Sequence, residues 1–441
     1  MVSITAGQAR PQLLRILGAS FGAAAAIGAT IGAGIMRSPS IIAGEVPGTA
    51  LILGLWALGA VQALLAANMW AEMGTAIPKS GGAYNFAHRA LGDVAGLVVG
   101  WTDWVSFLAA IAATSVSFGE FLPIVWPAAG AHKIGVAIAV QAVLYATNAL
   151  GLREGRAVQE ATSFTKAAML FVFVIAAVVL VAPAEPETHI AASPLWRWGS
   201  IILAYQLILG AYAGWWQPIY FAGENVDPAR SIPRAMLFGV LLTATLYITI
   251  NAALLHALGP QGVAASPLPF TTVLSRIGGT MPAFLFALTA MVTVSSATNA
   301  QIMGAPRILF ALSGDRLLPR AFQTVNRGGT PVVALAASAV GSIALALSGA
   351  FALVFGLIGT LNTMSNVVSD VAFFTLRRRE PQLARPWRAL GYPLLPALVL
   401  LIDATLLALF ASADHIGVAI AVGLVLFCIP FAWIAHRART A

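Results

Sequence analysis

Charge is the scarcest commodity in this sequence. Of 441 residues only 9% are Asp, Glu, Lys or Arg, and 59% are hydrophobic. Soluble domains carry about 25% charged residues, because a water-facing surface cannot be covered without them. A soluble enzyme and a disordered chain are both excluded, and the chain reads as an integral membrane protein. Cysteine is nearly absent. The one cysteine, Cys428, lies in an apolar run, so neither an intrachain disulfide nor a thiolate metal cluster can form. The histidines His88, His132, His189, His256, His415 and His436 are dispersed, and none makes HExxH or another ligand spacing. There is no GxxxxGK[ST] phosphate cradle for ATP-driven transport, and no Asn-x-Ser/Thr acceptor for N-glycosylation. The net charge of +8 comes from basic residues scattered between apolar runs, not from a stripe, so no nucleic-acid partner is implied.

What is present is a series of long apolar runs. A bilayer-crossing helix needs roughly 20 such residues. The candidates are Leu14–Met36, Pro47–Trp70, Gly96–Leu122, Ile134–Leu152, Thr162–Ala182 and Gly199–Phe221. Then follow Ile232–Leu258, Met281–Leu312, Pro331–Leu347, Phe351–Leu376, Tyr392–Ala411 and Ile416–Ala435, twelve spans in all. The first run follows Arg10 and Arg15 in the manner of a signal peptide, but it lacks a cleavage site and reads as a retained span. With the N-terminus cytoplasmic, 19 of the 24 basic residues face inward. Only Arg37, Lys133, Arg197 and Arg276 face outward, and Lys166 falls within a span. This bias supports the count and places both termini inside. Gaps of about 20–25 residues leave no room for a separate soluble module.

Two spans carry glycine clusters. Span 1 reads Gly28-Ala29-Thr30-Ile31-Gly32-Ala33-Gly34-Ile35, and span 6 reads Gly210-Ala211-Tyr212-Ala213-Gly214-Trp215. Such glycines serve either close helix packing or interrupted helices. Interruptions at matching positions of two five-helix halves are the pointer to an inverted-repeat carrier. A break leaves backbone groups unpaired in a low-dielectric medium. The amides of Ala33, Gly34 and Ile35 would open a half-helix whose positive end suits a carboxylate. The carbonyls of Thr30, Ile31 and Gly210–Ala213 suit an ammonium. Together they describe a site for an α-amino acid zwitterion.

These residues resemble the amino acid–polyamine–organocation (APC) superfamily, most nearly its L-amino acid transporter branch. The span 1 run through Met36 is similar to the first family signature. Glu72-Met73-Gly74 with Pro78-Lys79-Ser80-Gly81-Gly82-Ala83-Tyr84 is similar to the second. Tyr212-Ala213-Gly214-Trp215, Gly223-Glu224-Asn225 and Asp227-Pro228-Ala229-Arg230-Ser231-Ile232-Pro233-Arg234 are similar to the third. Asn299, Arg307, Gly329-Thr330-Pro331, Arg385-Pro386 and Gly391-Tyr392-Pro393 continue the likeness over nearly the whole chain.

The resemblance implies an all-α membrane protein of LeuT-type fold. Twelve helices would be arranged as a 5+5 inverted repeat with helices 1 and 6 broken, plus two peripheral helices. The repeats would occupy 14–182 and 199–376, with the peripheral pair in 392–435. It implies a carrier rather than an enzyme, moving L-amino acids across the plasma membrane by alternating access. No cofactor is implied. The expected partners are the amino acid, a proton and the lipid bilayer. With Cys428 deep in span 12, a disulfide-linked partner is ruled out, and the expected state is a monomer or weak homo-oligomer. The missing glycosylation sites and outer cysteines point to a bacterial inner membrane.

The resemblance also gives Lys166 a role. In sodium-independent relatives a span 5 lysine stands in the place of a sodium ion. Here it would bind the carbonyls of Gly28 and Ile31, with Ser295 or Ser296 beside it. Read from position alone, about one and a half turns into span 5, the same lysine would snorkel to the cytoplasmic interface. The expected coupling is sodium-independent, by proton symport or amino acid exchange. The branch carries an aromatic residue two positions before the span 6 tyrosine, where this chain has Gly210, so a neutral and large or aromatic substrate is expected. Tyr212, Trp215 and Trp216 are expected to close the site. Asp103 would face the pathway or pair with a neighbour, Glu72 would brace the loop after span 2, Glu120 would be interfacial, and Asp403 would be structural or oligomeric. The alternatives are a cationic amino acid or polyamine carrier, for which Asp103 is the candidate acid, and, outside the class, a channel or membrane-embedded enzyme.

Overall fold

The computed structural model describes residues 13–430 apart from 33, 186–197, 279–280, 349–350, 414–417, 421, 424–425 and 428–429. The described chain is helical, with β-structure confined to two isolated bridges, Leu17 with Asn225 and Val325 with Pro331. The helices are α1 (Ala19–Thr30), α2 (Gly34–Glu45), α3 (Thr49–Ala76), α4 (Ala83–Leu91), α5 (Asp93–Val125), α6 (Lys133–Leu150), α7 (Leu152–Leu180) and α8 (Trp198–Tyr212). They continue with α9 (Gln217–Tyr220), α10 (Pro228–Ala265), α11 (Pro269–Ile277), α12 (Met281–Gly314), α13 (Val332–Leu347), α14 (Phe351–Arg379) and α15 (Leu394–Ala413). Among the described residues seven helices are long and apolar enough to cross a bilayer, and α1 with α2, bent by 45°, makes an eighth. Large side chains on the outside, such as Val143, Val172, Val179 and Val340, are more than 60% exposed, as a lipid-facing surface requires. The chain is a multi-pass membrane protein.

Several expected boundaries move. Span 1 starts later and ends later than Leu14–Met36, because α2 carries Arg37 within the helix and neutralises it on Glu120 of α5, 2.5 Å away. Span 5 starts ten residues before Thr162, since α7 begins at Leu152 and only Gly151 separates it from α6. The Leu152–Ala161 stretch is polar but strongly helix-forming, with Arg156 paired to Glu160 one turn on. A helix need not stop where the bilayer does. Span 6, for which a broken helix is expected, has α8 ending at Tyr212 and α9 as a single turn. The connections hold two short amphipathic helices, α4 and α11, where loops were expected. Span 12 lies largely outside the described residues.

Without water between helices, association in a membrane relies on close backbone approach. Nearly all of α1 is buried, and it packs on α10, α7, α12 and α9. A Cβ added at Gly22 would come within 2.6 Å of Ala235 Cβ, and one at Gly239 within 2.6 Å of Ala26 Cβ. Small residues four apart thus face each other on α1 and α10. The packing reading of glycine holds for this part of span 1, and the interruption begins beyond it.

Candidate functional site

The span 1 break runs from the end of α1 at Thr30 to the start of α2 at Gly34, with Ile31 in an extended conformation (φ −80°, ψ 92°). The last four carbonyls of a helix have no partner within it, so their fates define the site. Ile27 O accepts from Ile31 N at 3.0 Å. Gly28 O and Ile31 O both accept from Lys166 Nζ, at 2.9 and 2.6 Å. Thr30 O accepts from the hydroxyl of Tyr247 at 3.0 Å. The ammonium also lies at the negative end of the α1 dipole.

Lys166 is the fifteenth of the 29 residues of α7 and is 0% exposed. Its amine reaches sideways into the break, not along the helix to an interface, which overturns the snorkelling reading. Packing explains the difference: α7 lies against α1 and α12, and an amine at 0% exposure held by two α1 carbonyls has no path to water.

A ladder of uncharged polar groups lies one turn below. Gln159, Ser163 and Lys166 share one face of α7, all at 0% exposure. Ser163 Oγ donates to Ala24 O at 2.7 Å and lies 3.0 Å from Ser296 Oγ. Gln159 Nε2 donates to Ala24 O and Ser163 Oγ, Asn299 donates to Gln159 Oε1, and Asn148 donates to Asn299. Ser296 joins this ladder, while Ser295 is half-buried at the adjacent position of α12. A Cβ at Gly28 would fall on the Gln159 amide, so that glycine makes room for the ladder.

The span 6 break lies directly against the span 1 break. Gly214 has φ 121°, and a Cβ there would lie 2.7 Å from Ala29 C and Thr30 N. Both the backbone conformation and the contact require glycine. Tyr247 of α10 stitches the two breaks together: its hydroxyl lies 3.0 Å from Thr30 O and 3.1 Å from Ala211 O. Gly210 O accepts from Ala213 N at 3.3 Å. The start of α2 faces the end of α8, with a Cβ at Gly34 meeting Ala211 Cα at 3.8 Å. So the positive end of one half-helix and the negative ends of two others meet within one layer of the protein.

A profile describing amino acid permeases matches residues 21–434. This chain belongs to the amino acid permease family. Over 429 residues it is 27% identical to the branched-chain amino acid permease BcaP of Bacillus subtilis (strain 168), covering 91% of this chain and 89% of that one. It is 28% identical over 416 residues to the serine/threonine exchanger SteT of the same organism, covering 88% of this chain and 89% of that one. It is also 24% identical over 416 residues to the human large neutral amino acids transporter small subunit 2, covering 92% and 77%.

Within this permease, the residues expected at the site fall into three groups. Thr30, Ile31, Gly28, Ala211 and Lys166 are joined at the breaks by the bonds above, with Gly34 and Ile35 opening α2. Ala33 lies outside the described residues. Tyr212 turns away from the carbonyl cluster: its hydroxyl donates to Trp56 O at 3.2 Å, and its ring packs on Trp56 and Tyr247. Trp215 and Trp216 pack on each other and on Trp70 of α3. Gly210 is exposed, with open space where a side chain would stand. Tyr247, Gln159 and Ser163 also belong to the site, and nothing local distinguishes them from other polar residues in apolar helices.

Charge and hydrogen bonds tie the helices together at one end of the permease. Glu224 and Arg307 form a bidentate pair with both bonds at 2.9 Å, their side chains 0% and 3% exposed. Ser80 donates to Glu224 at 3.3 Å, and Arg307 stacks over Phe221. The segment before α1 is strapped to the same place by Leu17 N to Glu224 O and Val226 N to Leu17 O. Gln217 donates to Ala300 O. Asp103 accepts from Tyr220 at 2.6 Å, tying α5 to α9. A cavity of about 410 Å³ opens at this end, lined by Arg15, Lys79, Ser80, Gly223 and Asp315 rather than by residues of the breaks. Glu72 braces more than the loop after span 2: it pairs with Arg377 and Arg385 and accepts from Ala389 N.

Gly214→Ala tests the contact between the breaks. Because the positive φ and the backbone clash act together, the substitution is expected to lower stability by about 2 kcal/mol or more and to reduce uptake at least about tenfold. Gly54→Ala, at a helical position with open space, is the control. Melting in detergent and uptake into proteoliposomes check both, and equal behaviour of the two variants would refute the contact.

Proposed function

We propose that this permease is a secondary active carrier of neutral L-amino acids, working by alternating access as a proton symporter or an amino acid exchanger, independent of sodium. The observation that carries the reading is the meeting of the two helix breaks. The N-terminus of α2 offers a positive pole for a carboxylate, and the carbonyls at the ends of α1 and α8, which keep a second lone pair beside their bonds to Lys166 and Tyr247, offer a negative pole for an ammonium. Both poles of a zwitterion are thus served by backbone. The relatives named as permeases and exchangers of branched-chain, hydroxylated and large neutral amino acids support the class.

Sodium independence rests on Lys166, whose fixed amine takes the two carbonyls that a cation would otherwise take. Neutrality rests on Asp103, which is engaged by Tyr220, so that among the described residues no free acid stands at the breaks for a cationic side chain. The twelve-span topology with two inverted repeats, 14–182 and 199–376, both termini in the cytoplasm and a bacterial inner membrane complete the proposal. The chain carries no disulfide-linked partner and no catalytic constellation in this reading.

The test is uptake and counterflow of radiolabelled amino acids in proteoliposomes, with competition by neutral, basic and aromatic amino acids. Saturable counterflow inhibited by neutral amino acids is the expected result. Inhibition by basic amino acids alone would transfer the reading to a cationic carrier, and conductance without counterflow would make it a channel. Gly210→Phe fills open space beside the breaks, so uptake of large side chains is expected to fall at least about tenfold relative to small ones. Unchanged selectivity would remove Gly210 from the pocket.

A further inference from the structure

Two acids deep in the protein are not used by the site above. Asp370 of α14 is 0% exposed and Asp403 of α15 is 6% exposed. Their carboxylates lie within hydrogen-bonding reach of each other. One oxygen of each has a donor: Trp70 Nε1 donates to Asp370 Oδ1 at 3.1 Å, and Gln62 Nε2 donates to Asp403 Oδ1 at 3.1 Å. The other oxygen of Asp370, Oδ2, is buried without a donor.

Charged groups on the elements packed around the pair are committed elsewhere. On α3, Glu72 is held by Arg377 and Arg385. On α4, His88 pairs with Asp93 and Asp315, and Arg89 pairs with Glu380. On α5, Asp103 is held by Tyr220. Among the described residues the remaining titratable neighbour is Tyr205 of α8, whose hydroxyl donates to Gln62 Oε1 at 2.8 Å. Two ionised carboxylates facing each other in a dry contact repel, and neither can donate. A proton on one of them turns two acceptors into a donor and an acceptor, and it supplies the partner that Asp370 Oδ2 lacks.

The pair is also connected to span 6 from two sides. Gln62 and Tyr205 link Asp403 to α8, the half-helix that ends at the break. The Trp70 ring that donates to Asp370 packs at 5.5 Å from Trp215 and 6.1 Å from Trp216. A displacement of either part of span 6 therefore changes the hydrogen bonds that surround the pair.

We propose that Asp370 and Asp403 form a proton-binding site within the membrane, holding one exchangeable proton between α14 and α15, and that α8 senses its occupancy through Gln62 and Tyr205. The site is separate from Lys166. Its effect on transport rests on the carrier reading, but its existence does not.

Two measurements separate these. First, infrared spectra of the protein in lipid are recorded across pH for the native chain and for Asp370→Asn/Asp403→Asn. In the double variant an amide N–H takes the place of the shared proton, so the contact survives. The native protein is expected to show a protonated-carboxyl carbonyl band that titrates away as pH rises and that the double variant lacks. Identical titrations of the two proteins overturn the site, and so does displacement of the native band by sodium at constant pH, which would make it a cation site.

Second, amino acid counterflow is followed against pH. Above the titration point native exchange is expected to fall about tenfold per pH unit as the proton is lost, and the double variant is expected to lose that dependence. Matching pH profiles overturn the link to α8. Absence of counterflow in the native protein refutes the carrier reading, while the infrared result still decides the proton site.

Discussion

Lys166→Ala is expected to abolish amino acid uptake. The amine donates to two carbonyls at the end of α1, Gly28 O and Ile31 O, and no water reaches a side chain that is 0% exposed. Each buried acceptor left unpaired costs about 1–3 kcal/mol, so destabilisation of about 4 kcal/mol localised at the break is expected. The damage falls on the geometry that positions the zwitterion, so transport suffers more than global stability. Lys166→Arg is expected to fail as well, because a planar guanidinium cannot replace a compact ammonium between two carbonyls. Replacing sodium by choline is expected to leave native uptake unchanged. Proteoliposome uptake with melting in detergent reads all of these. Strong sodium dependence of the native protein, or normal uptake by Lys166→Ala, would defeat the assignment.

Arg307→Ala is expected to cost as much in stability as Lys166→Ala. Removing one partner of a buried ion pair leaves the other charge uncompensated, at about 3–5 kcal/mol. Here Glu224 would keep only the hydroxyl of Ser80. Glu224→Gln/Arg307→Met removes both charges and is expected to recover most of the loss in melting temperature. It is not expected to recover transport, since the pair joins α12 to the α9–α10 junction. A double-mutant cycle read by denaturation in lipid measures the coupling. A loss below about 1 kcal/mol for Arg307→Ala, the range of exposed pairs, would show that the pair does not hold α12 to the α9–α10 junction.

The two closed features differ in how far they could be read from the chain. Gly223-Glu224-Asn225 and Arg307 stood out as parts of family signatures, yet nothing in them says that Glu224 and Arg307 touch. Lys166 stood out as the one basic residue that topology could not place. Its partners follow from the family resemblance, but its burial comes from the packing of α7 on α1 and α12, which no local pattern spells out. Tyr247 was not singled out at all. A tyrosine in the middle of an apolar helix is ordinary until its hydroxyl is found between Thr30 O and Ala211 O. Asp403 was read as peripheral, and its proximity to Asp370 depends on the packing of α14 on α15.

The sequence by itself determined that the chain is a helical membrane protein with glycine-weakened helices at two positions. Those properties follow from local chemistry: apolar runs long enough to cross lipid, charges too few for a water-facing surface, and glycine where a helix is least stable. Only the tertiary structure decided which groups repair the broken helices. Lys166 lies 138 residues from Gly28, and Tyr247 lies 217 residues from Thr30. Hydrogen bonds act over about 3 Å, so partners this distant in sequence are chosen by how the helices pack.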